Sequence, residues 1–349
     1  MPNYDPDLAR LLDAAAKANR PPFELLTPEQ ARVAYAASWD VMQPPSAEVA
    51  SVRDLAVAGP GGELTLRIYR GLGTQADERL PCLVFLHGGG WVIGNLQSHD
   101  RLCRLLANQA RISVIAVDYR LAPEHPFPAA LDDCAAAWRW VCEHADALNI
   151  AGGRIGIGGD SAGGNLAAVV ALMGRDGSLP QAIHQTLIYP VTDLRAQSLS
   201  YRDITAGVPL TAATMRWFID HYTPQVADRR DWRASPLLAK TLAGAPPALV
   251  MTVAHDPLCA EGRDYAARLE ADGVRVTALH LADHMHGMLM HGKLVRASNR
   301  LVDFVAASVA EALHHGRPVN AHHGRPVSAD PGCVSPSASA PAPDRQPAR

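Results

Sequence analysis

The chain has 349 residues, 48% of them hydrophobic, and a formal net charge of -3. That length and apolar content can bury one large core, and one α/β domain with an inserted segment accounts for it better than two independent domains. The near-neutral balance, with no basic run carrying interleaved aromatics, argues against a nucleic-acid partner, and no run of about 18 apolar residues is present to cross a membrane.

Residues 7–19 and 28–39 carry apolar side chains at helical spacing, and Thr27-Pro28-Glu-Gln supplies a helix start with proline in the first turn. A strand is expected over 64–69. The run Leu80-Pro-Cys-Leu-Val-Phe-Leu86 then reads as a buried parallel strand over 82–86, opening into His87-Gly88-Gly89-Gly90-Trp91. Three glycines let that backbone approach a ligand closely, so the Gly88 and Gly89 amides are candidate donors to a developing oxyanion. His87 reads as a residue that fixes the loop. A helix over 98–110, a strand over 112–117 and a helix over 128–146 follow.

Ile155-Gly-Ile-Gly-Gly159-Asp160-Ser161-Ala162-Gly163-Gly164 closes a strand over 154–158 and begins a helix over 162–174. A serine hydroxyl attacks carbonyls poorly unless a base can reach it, and a sharp strand-to-helix turn exposes it to one. Gly159 and Gly163 leave such a turn free of colliding side chains, and the Ala162 amide faces the same space. Taken with the glycine loop upstream, Ser161 is the candidate nucleophile.

Further strands are expected over 185–189, 248–253 and 275–281, with helices over 259–272 and 294–313. This alternation indicates a mostly parallel sheet covered on both faces. Sites in such sheets gather at the carboxyl ends of the strands, and the triad order is serine, acid, histidine. Asp256 follows a buried strand and precedes a proline, which makes it the candidate acid. His286 lies on an expected loop over 282–288, before Gly287, and is the candidate base. His284 is its nearest rival; Asp283 lies too close in sequence to orient the base, and Asp264 falls inside a helix. Residues 200–225, with Met215-Arg-Trp-Phe-Ile-Asp-His-Tyr222, interrupt the alternation as one amphipathic helix.

Together, His87-Gly-Gly-Gly-Trp91, Asp118-Tyr119-Arg120-Leu-Ala-Pro123-Glu124-His-Pro-Phe-Pro128, Gly159-Asp-Ser161-Ala-Gly-Gly-Asn165, Asp256-Pro-Leu258 and His286-Gly287 resemble the hormone-sensitive lipase family of bacterial esterases. The resemblance covers most of residues 1–313. It implies an α/β-hydrolase fold, ester hydrolysis through an acyl-enzyme, no cofactor, and a helical cap. Its triad maps onto Ser161, Asp256 and His286, and its oxyanion donors onto Gly88, Gly89 and Ala162. By the same resemblance, 1–48 form the N-terminal part of the cap, 200–225 its second part, and 49–199 with 226–315 the catalytic domain. The chain departs from the family's pattern where Cys259-Ala260 replace an Arg-Asp pair before Glu261, and where Met288 replaces an aromatic after His286-Gly287.

Trp91 and Asp160 are expected to line the pocket. The expected partner is a small-molecule ester of a short to medium acyl group and a small alcohol, and the sequence leaves a homodimer open. The same triad could cleave amides, as in arylacetamide-deacetylase-like hydrolases, while a non-catalytic receptor on this scaffold would lack the catalytic histidine. Cysteines 82, 103, 134, 142, 259 and 333 show no paired metal spacing, and their buried-looking contexts favour reduced thiols. The N-terminus lacks the regions of a signal peptide, so a cytoplasmic location is expected. The tail over 316–349 is rich in Pro, Ala and Ser and is expected to be disordered. Its His-His pairs lack the carboxylate or thiolate neighbours that complete a functional metal site, so none is assigned.

Overall fold

The computed structural model describes residues 3–316, so the expected disordered tail lies outside the described residues except for Gly316. Eight strands form one sheet, β1 (Ser51–Gly59), β2 (Gly62–Arg70), β3 (Leu80–Leu86), β4 (Ser113–Val117), β5 (Ile150–Asp160), β6 (Gln185–Ile188), β7 (Ala248–His255) and β8 (Val276–Met285). Their order is β1-β2-β4-β3-β5-β6-β7-β8. From β4 to β8 every pairing is parallel, and the β1–β2 hairpin adds two antiparallel strands at one edge.

β3 shows why the centre of the sheet is stable. Val84 and Leu86 face one layer while Leu83 and Phe85 face the other, and none of the four is exposed. A strand buried on both faces reads as a continuous apolar run rather than an alternation. Helices α4 (Leu96–Ala110) and α10 (Arg296–His315) cover the second layer through Leu102, Leu106, Val302, Val305 and Val309. The first layer is covered by α5 (Ala129–Glu143), α6 (Ala162–Arg175) and α9 (Cys259–Ala271).

Ahead of the sheet lie α1 (Pro6–Ala18), α2 (Pro28–Ala36) and α3 (Trp39–Met42). α2 begins with a reciprocal cap, in which the Gln30 amide donates to Thr27 Oγ1 at 3.3 Å and the Thr27 amide to Gln30 Oε1 at 3.0 Å. The segment after β6 holds α7 (Ser200–Asp203) and α8 (Ala212–Tyr222), whose Met215, Phe218, Ile219 and Tyr222 form one buried stripe. The two segments meet where Thr214 Oγ1 donates to Glu24 at 2.5 Å and where Phe23 packs edge-on against Phe218.

Several elements depart from the sequence reading, among them β5, which begins at Ile150 rather than 154, and the 200–225 segment, which holds α7 besides α8. β1 was not expected, because only Val57 along its length is buried and an exposed edge strand leaves no alternation to read. The expected helix over 28–39 breaks into α2 and α3. β8 continues to Met285, four residues past its expected end at 281, because His255 of β7 still pairs with Met285 after a register shift.

Asp133, buried on α5, accepts from the backbone amide of Arg120 at 3.0 Å and from both arms of its guanidinium at 2.8 Å. This pair fastens the loop after β4 to α5. Asp133→Ala removes this tie and, with Arg120 partly exposed, is expected to destabilise the protein by about 1–3 kcal/mol, read from urea unfolding midpoints. A loss within about 0.5 kcal/mol would contradict that role.

Candidate active site

Ser161 sits between the last residue of β5 and the first of α6, with φ 55° and ψ -120°. Such backbone is rarely tolerated by a side chain other than glycine's, and here the surroundings impose it. A Cβ on Gly163 would run into the Leu86 carbonyl, so the glycine lets the elbow press directly on the end of β3. The Ser161 amide donates to the Ile188 carbonyl at 2.9 Å, tying the turn to β6.

His286 follows β8 and reaches back over the sheet. Its Nε2 lies 2.9 Å from Ser161 Oγ, and its Nδ1 lies 2.7 Å from Asp256 Oδ2. The tautomer that satisfies both contacts carries its hydrogen on Nδ1, donates to Asp256 and accepts from the serine. Asp256 has no exposed surface, and its other oxygen accepts the Leu258 amide at 2.8 Å. The ring of Tyr189 packs beside the imidazole, with centroids 4.5 Å apart. The rival His284 is paired instead with Asp283, at 2.5 Å.

The glycine loop corrects one expectation. The Gly88 amide is already engaged, donating to Asp160 Oδ1 at 2.9 Å, and it cannot also serve an oxyanion. Among the described residues, the amides of Gly89, Gly90 and Ala162 meet no acceptor. Gly89 has φ 121°, which turns the chain so that the Val92 and Ile93 amides both donate to the Gly89 carbonyl.

Trp91 and Asp160, expected along a pocket, are both buried. The Trp91 ring has no exposed surface and is stacked on Tyr222 at 4.3 Å, so it joins the loop to α8. Asp160 is buried beneath the loop, where His99 Nε2 lies 3.0 Å from the same oxygen that holds Gly88. Burial alone would raise this carboxyl, but the charge and hydrogen bond of His99, with His286 and His87 beyond, outweigh it and hold Asp160 below the ordinary carboxylate value. Sequence reasoning missed His99, since nothing near it in the chain marks it as a partner of residue 160. His87 does fix the loop: its Nδ1 lies 2.8 Å from the Gly88 carbonyl, its ring stacks on Tyr119, and burial pushes its pKa down to about 3.

The substituted positions near the acid are held through the main chain. The Cys259 amide donates to the Asp256 carbonyl at 3.1 Å, and the Ala260 amide to Ser200 Oγ at 2.9 Å. Glu261 is buried and accepts the Thr192 and Asp193 amides at 2.8 and 3.2 Å; burial nevertheless pushes its carboxyl well above the usual range. Met288 is buried and packs in the second core layer. Among the described residues, no group of three or more His, Cys, Asp or Glu is placed to hold a metal, and no helix is long and apolar enough to cross a membrane.

Because the folded pKa of Asp160 lies below its ordinary 3.8, its contribution to stability is complete above about pH 4 and is lost as pH falls through the folded value. Asp160→Asn is therefore expected to flatten the acid limb of the unfolding-midpoint curve below about pH 4 relative to the wild type. Coincident acid limbs for the two proteins would show that the carboxylate is not held as its neighbours suggest.

The family described as alpha/beta hydrolase fold matches residues 83–290. Carboxylic ester hydrolase LipN of Mycobacterium tuberculosis is 43% identical over 269 residues, covering 74% of this chain and 71% of that protein. Ethyl acetate hydrolase of Pseudomonas putida is 36% identical over 319 residues, covering 89% of this chain and all of that protein at 100%. An ester hydrolase from the metagenome of Lake Arreo, solved with a derivative of bipyridine phosphonate, superimposes with a TM-score of 0.85 at 41% identity, covering 89% of this chain and 99% of that one. The chain belongs to the α/β-hydrolase fold and, within it, to the hormone-sensitive lipase family of bacterial esterases.

Proposed function

We propose that this carboxylic ester hydrolase works by double displacement, with Ser161 as nucleophile, His286 as general base and acid, and Asp256 as the residue that orients and stabilises the imidazole. The observation that carries the reading is the unbroken line from Ser161 Oγ through His286 to buried Asp256, at 2.9 and 2.7 Å. As the serine oxygen bonds to the ester carbonyl carbon, its proton passes to His286 Nε2. The carbonyl oxygen becomes an anion, held by the amides of Gly89, Gly90 and Ala162, each such donor being worth about 3–4 kcal/mol in comparable sites. Collapse breaks the bond to the alcohol, which leaves with the proton from His286. Water then attacks the acyl-serine with the same base, and the carboxylic acid departs.

The N-terminal segment up to residue 48 and residues 200–225 form the cap in this proposal, supported by the contacts of Phe23 and Glu24 with α8 and by the stacking of Tyr222 on Trp91. Short to medium acyl esters of small alcohols are the proposed substrates, in line with the ethyl acetate hydrolase among the relatives. A cytoplasmic location belongs to the same proposal, and the five described cysteines, 82, 103, 134, 142 and 259, are free thiols.

Ser161→Ala and His286→Ala are each expected to lower kcat on p-nitrophenyl butyrate by about 10⁴-fold or more. A p-nitrophenyl phosphonate should add once to the wild type, at Ser161, as read by intact mass and peptide mapping. Turnover close to the wild type in either variant, or labelling elsewhere, would refute the assignment. Across acyl lengths, the rate should be highest for short chains and fall for p-nitrophenyl palmitate; equal rates would contradict the substrate class.

A further inference from the structure

Arg32, on α2, makes contacts that neither the triad nor the nucleophile elbow explains. Its Nε donates to the Val92 carbonyl at 2.8 Å and its Nη2 to the Ala122 carbonyl at 2.9 Å. Its two terminal nitrogens also grip Glu124, at 2.6 and 2.7 Å. These partners lie 60, 90 and 92 residues away in the chain, so the guanidinium joins three segments.

Both carbonyls belong to the backbone that shapes the glycine turn. The Val92 and Ile93 amides donate to the Gly89 carbonyl at 3.1 and 2.9 Å, and the Ala122 amide donates to the Trp91 carbonyl at 2.8 Å. Peptide units 91 and 92 are thus held together, one by Ala122 directly and the next by Arg32, which also holds Ala122. On another side, the Phe218 ring lies where a Cβ on Gly90 would stand. The direction of the Gly89 and Gly90 amides follows from this clamp. An exposed ion pair such as Arg32 with Glu124 contributes little by itself, and its value here is to aim a planar fork whose remaining donors reach the two carbonyls.

We propose that Arg32 is a positioning residue for the oxyanion hole, coupling the seating of the N-terminal helices to the aim of the Gly89 and Gly90 amides. The inference rests on the reading of those two amides as oxyanion donors. Such donors act only at close range to the charge that develops, and a displacement of about 1 Å can cost on the order of 100-fold in rate. The loss falls on kcat, because the contact is made in the transition state and not with bound ester.

The test compares the wild type with Arg32→Met, Arg32→Lys, Glu124→Gln and the Arg32→Met/Glu124→Gln double variant on p-nitrophenyl butyrate. A trifluoromethyl ketone, whose adduct with the serine carries an oxyanion, is the second probe, and thermal midpoints are recorded for every protein. Arg32→Met is expected to lower kcat about 10- to 100-fold with KM within about 3-fold, and to weaken ketone inhibition by a similar factor. Arg32→Lys should recover little, since an ammonium cannot span two carbonyls and a carboxylate. Glu124→Gln should have a smaller effect and none on top of Arg32→Met, as expected for a residue acting through the arginine.

A lower midpoint with unchanged kcat and unchanged ketone affinity would reduce Arg32 to a structural tie and overturn the proposal. Should Arg32→Met fail to fold, Arg32→Lys keeps the charge and the stem, and unchanged kcat and ketone affinity in it overturn the proposal equally. Wild-type enzyme that binds the ketone no more tightly than the matched alcohol would sink the oxyanion reading and this inference with it. Tight binding in the wild type that is equally tight in the Arg32 variants sinks the positioning role alone.

Discussion

Where β3 and β5 end side by side, the carboxylate of Asp160 takes the Gly88 amide at 2.9 Å, and the chain on either side of that bond carries the glycine loop and Ser161. The proposed oxyanion donors and the proposed nucleophile are thereby referred to one fixed point. His99, reaching in from α4, keeps that point anionic in a buried place where a carboxyl would otherwise take up a proton. Ser98 holds the other ring nitrogen of His99 at 2.8 Å and is itself tied to Asn95 at the start of α4. The path from helix cap to glycine loop is continuous, and each member has its partner, which is the condition under which a buried polar network rigidifies a site.

Two buried carboxyls near this site behave oppositely, although burial disfavours charge in both. Asp160 has an imidazole against it and is held low. Glu261 has two backbone amides but also the neighbouring Asp193 and Asp256, and its carboxyl is pushed up. The first is suited to hold a charge-assisted bond, while the second accepts two amides and so pins the loop at 192 and 193. This arrangement gives a physical reason why Cys259 and Ala260 can stand before Glu261. The acid loop is secured by main-chain amides, so side chains at those two positions are not what holds it.

The sequence was legible where local pattern and burial coincide. The apolar run from Cys82 to Leu86 announces a strand covered on both faces, and Gly159 and Gly163 around Ser161 announce a turn that presses on neighbouring backbone. It was illegible where one residue's role is set by another far away. Three consecutive glycines after His87 look alike in a chain, and which amides stay free is decided by Asp160, 72 residues on. Arg32 resembles any basic residue on an exposed helix face, and its use depends on two carbonyls that carry no sequence signal. Trp91 reads as a pocket residue beside a glycine loop, yet it is fully buried with Tyr222 stacked on its ring.

The three side chains of the proposed triad are not supported alike. Ser161 follows β5, which has β3 on one side and β6 on the other, whereas His286 follows β8, the outermost strand at its end of the sheet. A local opening confined to that edge strand would release the proposed proton acceptor while the strands around Ser161 stayed paired. A molecule loosened only at that margin keeps an intact, correctly folded serine turn and has nothing left to switch it on.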